Sequence, residues 1–350
     1  MKTKLLSLLM AALLLVGILA GCGQQNNNSE STAGNTAAQA TISAADETKQ
    51  TNSAATADAT IENAVKYPLV LTDASGTQVT INSKPTKIVS LPLGICEMLL
   101  SVTDKSEIAA MTYYVDDPIV SNIADEAKGV GQRLDFNAEK ILALQPDLVI
   151  VDTWQDANIV KQLRDAKINV FVSIAPVNVD QQKELLKLLG NITDNKAKAD
   201  EVINWMDTKL KAVSDKLSGL KEEQKLTIID YSEMSTTSGK GTNFDDVVTR
   251  AGLINPVSKE GLTGWPQLSK EMIVQYNPDL ICLPSWYYDN KVSFKSLSES
   301  IFGDKSLAGV KAVKNKKLIS VPHNHISSTS QYAVLAVEDL AKAAYPELFK

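Results

Sequence analysis

Residues 136–150 read FNAEKILALQPDLVI, and residues 268–282 read LSKEMIVQYNPDLIC. Laid over one another without a gap, they share Glu139/Glu271, Ile141/Ile273, Pro146/Pro278, Asp147/Asp279 and Leu148/Leu280. Each copy opens on a capping residue, Asn137 or Ser269, whose side-chain oxygen accepts from an otherwise orphaned helix N–H. Each continues as a short helix that stops at the proline, which pushes the residue before it toward extended backbone. Each closes as an apolar strand. Two related helix–turn–strand units in one chain predict two lobes of similar construction.

Between the copies the periodicity changes. From Asn195 to Leu217 there is no Gly or Pro, and apolar residues recur at Val202, Ile203, Met206, Leu210, Val213 and Leu217. That spacing predicts one long amphipathic helix, ended by Gly219. On both sides short β-rich runs alternate with helical ones. "LVLTD" and "QVTI" flank Ala74-Ser75-Gly76 as a hairpin. "KIVSL", "EIAAMT", "DLVIV" and "NVFVSI" read as strands of a first sheet, and "KLTIID", "DLICLP" and "KLISVP" as strands of a second. Helices are expected at Ile95–Val102, Asn158–Ala166, Gln181–Leu189 (with Gly190 as its C-cap), Phe244–Ala251 and Gln331–Ala344. The fold class is α/β: alternating strands and helices predict doubly wound units with mostly parallel sheets, one on either side of the long helix.

The repeated glutamates stand two residues after each cap. An acid in the first turn favours the helix dipole by about 0.3–1 kcal/mol. That accounts for an acid somewhere in the turn, not for the same offset twice, and a reciprocal capping box needs it one position later. Glu139 and Glu271 are therefore candidate functional residues.

The N-terminus is read separately. Lys2 and Lys4 precede an apolar run from Leu5 to Leu19, too short for the ~20 residues of a spanning helix, so residues 1–21 read as a signal peptide. The run ends in Leu19-Ala20-Gly21-Cys22, which resembles the bacterial lipobox and implies that Cys22 carries a lipid; the alternative is an ordinary secretory peptide. Residues 22–65 are then a lipidated cysteine and a polar tether, too poor in large apolar side chains to pack, with a coil span of roughly 30–40 Å. The remaining bounds are 66–192 for the first lobe, 193–218 for the connecting helix and 219–350 for the second lobe. Localisation follows: the extracytoplasmic face of the cell membrane, reached through the anchor, with a monomeric body. Removing residues 1–21 takes away two lysines and no acid, leaving 33 basic and 41 acidic residues, a charge of −8. That balance excludes nucleic acid as a partner. Cys96 and Cys282 fall in different lobes and read as buried small hydrophobes, with a bridge between them as the alternative.

From about Tyr67 to Lys350 the chain resembles the periplasmic binding proteins that serve importers of iron-siderophores, cobalamin and haem. The resemblance rests on "YPLVLTDASGTQVTINSKPTKIVSLPLGICEMLL", "NAEKILALQPDLVI" and "GWPQLSKEMIVQYNPDLI" taken together. It implies two Rossmann-like lobes joined by a single long α-helix with a ligand cleft between them, small lobe motions, and an ABC permease dimer with its ATPase as partner. It also implies that Glu139 and Glu271 meet permease arginines, which suits the geometry of carboxylate–Arg pairing.

The implied cleft is lined by loops at the carboxyl ends of strands. Trp265, in "GWPQ", is similar to a cleft tryptophan of cobalamin binders. Trp154, Tyr113 (with Tyr114), Tyr231, and Trp286-Tyr287-Tyr288 each follow a predicted strand, whereas Trp205 lies on the connecting helix. Aromatic walls suit a bulky, partly apolar chelate. Arg133 is the one arginine expected near the cleft, with Lys240 nearby; Arg164 and Arg250 fall on helices. So few cations favour a hydroxamate siderophore over an anionic tris-catecholate, with a corrinoid or haem as alternatives. His323 and His325, spaced by two, are read either as facing one side toward a metal or as plain loop residues. No intrinsic cofactor is expected. Thr237–Thr242, "TSGKGT", lacks the first glycine and the final hydroxyl of a phosphate loop, and no nucleophile-elbow motif occurs, so the chain is read as no enzyme. A ligand sensor that does not deliver its cargo is the remaining alternative.

Overall fold

The computed structural model describes residues 64–350; the signal segment, Cys22 and most of the tether lie outside them. The chain enters through a hairpin of β1 (Leu69–Thr72) and β2 (Gln78–Ile81). β3 (Ile88–Ser90), α1 (Leu93–Val102), β4 (Ile108–Thr112), β5 (Gln132–Leu134), α2 (Ala138–Ala143), β6 (Leu148–Asp152), α3 (Ala157–Asp165), β7 (Val170–Ser173) and α4 (Val179–Ile192) build the first lobe. Its sheet is wholly parallel in the order β5-β4-β3-β6-β7. Neighbours of β3 therefore lead away in opposite directions, which places a crevice at the carboxyl ends of β3 and β6.

α5 (Lys196–Leu217) follows as one uninterrupted helix. The second lobe holds β8 (Ile228–Asp230), α6 (Asn243–Arg250), α7 (Pro256–Lys259), α8 (Lys270–Tyr276), β9 (Leu280–Cys282), α9 (Phe294–Gly303), α10 (Lys311–Lys314), β10 (Leu318–Ile319), α11 (His323–Ile326) and α12 (Ala333–Ala344). Its sheet, β10-β9-β8, is again parallel. Among the described residues no helix is long and apolar enough to cross a membrane.

The apolar stripe of α5 explains its place. Ala199, Ile203 and Met206 enter the core under the first sheet, Val213 enters the core of the second lobe, and Leu210 packs on both. α12 does the same alongside it: Val334 belongs to the first core, Val337 and Leu340 to the second. Tyr332, just before α12, meets Trp205 of α5 edge-on at 5.9 Å. The bridge is thus a pair of packed helices.

The two copies of the repeat share their caps and their strand ties. Asn137 and Ser269 cap α2 and α8 by accepting from Lys140 N and Met272 N. The shared aspartates tie each strand to its neighbour. Asp147 accepts from Thr86 N (2.7 Å) and Lys87 N (3.0 Å), at the entry to β3. Asp279 accepts from Thr227 N (2.9 Å) and Thr227 Oγ1 (2.8 Å), at the entry to β8.

Two local expectations are corrected. The residues before the prolines, Gln145 (φ 49°) and Asn277 (φ 43°), are left-handed and not extended, because each closes its helix with a C-terminal cap. Gly190 lies inside α4 and is no cap. A Cβ there would sit 2.6 Å from Ala199 Cβ, so the glycine exists to let α5 cross close to α4.

Candidate functional site

Between the lobes opens a cavity of about 470 Å³. Its floor is the carboxyl end of the second sheet, where Asp230 ends β8 and Cys282 ends β9. Asp230 accepts from Thr237 Oγ1 (2.8 Å), Ser238 N (2.7 Å) and Ser238 Oγ (2.6 Å). Burial pushes its carboxyl up from the ordinary range, against those hydrogen bonds. Burial and the charge of Asp230 push the Cys282 thiol up to about 12, so it is a neutral lining group. Cys96 is likewise buried and free in the other lobe, its thiol pushed up to about 12 by burial.

Aromatic side chains form the walls and mouth. Trp154, just past β6 in the first lobe, and Trp265, on a loop of the second, meet edge-on across the cleft at 6.3 Å. Both are more than half exposed although large and apolar. Trp286 packs edge-on against Tyr288 at 4.5 Å and lies 5.2 Å from the ring of His323. Tyr231 and Phe244 complete the apolar lining. Glu233 also lines the cavity; its Oε1 accepts from Tyr288 N at 3.0 Å, while Oε2 is buried with no hydrogen-bond partner. No Lys or Arg lines the cavity among the described residues.

The sequence-derived candidates separate cleanly. Trp154, Trp265, Tyr231, Trp286 and His323 line the cavity; Tyr113, Tyr287, Arg133, Lys240 and His325 do not. Arg133 is taken up within its own lobe: its guanidinium donates twice to Asp116, both at 2.8 Å, and also to Val130 O and Ala127 O. Lys240 is exposed beyond the rim. Tyr113 stacks on Tyr114 at 4.3 Å on the surface. The Tyr287 hydroxyl donates to Pro284 O (2.7 Å), which turns that ring away and leaves the cavity to Tyr288.

His323 and His325 sit on a helical turn, α11, where positions two apart point to nearly opposite sides. Only His323 faces the cavity, and burial holds its ring below the ordinary histidine range, against the charge of Asp117. His325 Nδ1 pairs with Asp339 Oδ2 at 2.6 Å on α12. Glu139 and Glu271 are both exposed in the first turns of α2 and α8, one on each lobe. Asp230, Glu233 and Phe244 carried no motif in the sequence. Only the position of Asp230 at a strand end marks it, and Glu233 is placed by a loop whose course local pattern does not fix.

Residues 88–324 match the family model described as periplasmic binding protein. The chain belongs to that family. Its members are transport substrate-binding proteins, and this periplasmic binding protein is a solute-binding protein of the ABC-transporter class. It is 27% identical over 299 residues to an ABC transporter substrate-binding lipoprotein of Bacillus subtilis, YvrC, itself uncharacterized, covering 81% of this chain and 88% of that one. It is 26% identical over 221 residues to a cobalamin-binding protein of Halobacterium salinarum, spanning 63% of this chain and 59% of that protein's length. Among solved structures, the molybdate-binding protein MolA of Haemophilus influenzae shares the fold with a TM-score of 0.65 at 22% identity, over 80% of this chain and 92% of that one. A periplasmic haem-binding protein of Roseiflexus, RhuT, does so with a TM-score of 0.62 at 18% identity, over 75% and 98%.

Proposed function

We propose that this periplasmic binding protein captures a neutral or cationic metal chelate, a ferric hydroxamate siderophore before an anionic tris-catecholate, and delivers it to an ABC permease. One observation carries the reading: the cavity combines an aromatic wall with two acids, Asp230 and Glu233, and no lining Lys or Arg. A polyanionic ligand in such a site would lose its hydration and find no lining Lys or Arg to offset that loss. A neutral chelate with an apolar periphery packs on Trp154, Trp265, Trp286 and Tyr288, while hydroxyls such as Ser232 and Thr236 supply orientation. A corrinoid is the second reading, favoured by the relative named as a cobalamin-binding protein and by the cleft position of Trp265.

Docking is assigned to Glu139 and Glu271, exposed at equivalent places on the two lobes. A lipid on Cys22 would hold the protein at the outer face of the membrane, a reading supported by its likeness to the lipoprotein YvrC. The experiment is tryptophan quenching of the purified protein with a linear ferric trihydroxamate, cyanocobalamin, haem and a ferric tris-catecholate. Binding by either of the first two at micromolar or tighter concentration, with the catecholate silent, is expected. Tight binding of the catecholate alone would overturn the charge argument. The sensor alternative predicts the same binding but uptake that is indifferent to loss of both glutamates.

A further inference from the structure

Glu97 is a carboxylate at 1% exposure on α1, on a helix otherwise buried through apolar residues. An apolar side chain would fill that position at no desolvation cost, so the acid requires a reason. Its partners supply one. Oε1 accepts from Asn122 N (2.7 Å) and Asn122 Nδ2 (3.0 Å), within the first lobe. Oε2 accepts from Ser330 Oγ, with Ser328 Oγ at 3.5 Å, and Glu97 O accepts from Gln331 Nε2 at 3.2 Å. These three donors reach it from the segment that leaves the second sheet through α11 and enters α12. Asn122 Nδ2 also donates to Asn324 O (2.6 Å) on α11.

The same segment is a wall of the cavity: His323, Ile326, Ser327 and Thr329 line it, while Asn324, Ser328 and Ser330 face the Glu97 cluster. α1 is pressed onto it. A Cβ at Gly94, one turn before Glu97, would lie 2.3 Å from Thr329 Oγ1.

We propose that Glu97 is the positioning residue of the cleft, pinning the 323–331 segment to the first lobe so that the wall contributed by the second lobe is held in its ligand-ready place. Contacts made in the cavity at Thr329 and His323 are then one residue away from a buried tie between the lobes. Loss of the tie frees this wall without unfolding either sheet, since none of its donors lies in a strand. Ligand-readiness rests on the cavity being the ligand site; the tie itself does not.

The test uses the mature full chain without ligand. Amide hydrogen exchange is compared for peptides covering 323–331 and peptides covering β8 and β9, in wild type, Glu97→Ala and Glu97→Gln. In Glu97→Ala, the amides of Ile326, Ser327, Ser328 and Ser330 should exchange about tenfold faster, as loss of the buried hydrogen bonds to its carboxyl group produces, with β8 and β9 unchanged. Glu97→Gln should fall near wild type, because its amide oxygen still accepts from Asn122 and serine hydroxyls can turn to meet its NH2. Uniform acceleration in both sets of peptides, or none in 323–331, overturns the proposal. If Glu97→Ala does not fold, Ser330→Ala removes one donor from the far lobe and is held to the same comparison. A second arm measures affinity for the linear ferric trihydroxamate and cyanocobalamin, expected to weaken about tenfold in Glu97→Ala and to recover in Glu97→Gln. If neither compound binds wild type, the chelate reading fails while the exchange arm still decides the role of Glu97.

Discussion

Replacing Trp265 by alanine separates ligand binding from stability. Its indole is 59% exposed, one of the largest apolar surfaces the protein leaves open. A tryptophan presents about 250 Å², so roughly 150 Å² of Trp265 is uncovered in the empty cleft. If a bound chelate covers half of that, about 75 Å² at ~25 cal/mol/Å² is worth ~1.9 kcal/mol, a loss of affinity of about 25-fold. The edge-on partner Trp154 stands 6.3 Å away on the opposite lobe, so removal of either ring also takes away a pair term of about 0.5–1.5 kcal/mol. Stability should fall by no more than about 1.5 kcal/mol, the worth of that pair, since an exposed ring supports little of the core. The assay pairs calorimetric titration of the best-quenching chelate with urea unfolding of the same samples. A change in Kd below about twofold would refute the area argument, and a stability loss above ~2 kcal/mol would show that Trp265 belongs to the fold and not to the cleft.

Four further outcomes are expected. Glu139→Ala combined with Glu271→Ala should abolish uptake by cells while leaving chelate Kd within about twofold, because both side chains are exposed and outside the cavity; uptake at wild-type rate removes the docking assignment. Asp279→Ala should cost about 2–3 kcal/mol in urea unfolding through loss of charge-assisted bonds from Thr227, with Lys311 3.1 Å away losing its partner too. The pH sign follows: burial raises the Asp279 carboxyl, but Thr227 and Lys311 more than offset it and hold it below its ordinary value. Its contribution is therefore complete above the unfolded value near ~3.9 and is lost as pH falls through the lower folded value. The acid limb of a stability–pH curve should flatten in the variant, and an unchanged limb counts against the tie. Gly190→Ala should destabilise by about 1–2 kcal/mol by forcing α4 and α5 apart, even after the helix-propensity gain. Gly219→Ala, with nothing within 4 Å of its new Cβ, should be neutral or slightly stabilising.

The repeat and the long helix were legible because both are written in local pattern. A cap, a proline, an apolar run and a 3-4 spacing each depend on neighbours in sequence, and they placed α2, α8 and α5 within a residue or two. What local pattern did not carry was pairing over distance. Arg133 reads as a free cation, yet Asp116 lies 17 residues upstream and claims it. His323 and His325 look like partners if the chain is extended, and the helical turn of α11 sends them apart. Gly190 follows a helical run as caps do, but the crossing of α5 decides its role. The acid of Glu97 looks like an ordinary break in an apolar helix until Ser328 and Ser330, more than 200 residues later, supply its donors. Strand ends thus pointed to several residues that line the cavity, while long-range hydrogen bonds drew others away from it.

The ties between the lobes bear on how cargo is held and released. Beyond α5 and α12, Asp246 on α6 accepts from Val179 N at the start of α4 (3.0 Å), and Arg250 reaches Asp180 at 2.9 Å. Gln182 Nε2 donates to Asn243 Oδ1, and the Glu97 cluster closes the other flank. A wide swing of the lobes would break several of these at once. At a net ~1–2 kcal/mol each, that is of order 5 kcal/mol, and an open form would be held by about one molecule in several thousand. Under the proposed function, capture would then proceed through the side chains at the mouth, with Trp154 and Trp265 parting over a nearly fixed frame. Release meets the opposite requirement, since the same frame holds the ligand in. On the docking role proposed for Glu139 and Glu271, an exposed acid on each lobe would give the partner separate grips on the two halves, and binding energy at those patches could be set against the inter-lobe bonds. A single grip on one lobe would move the whole body and leave the cleft shut.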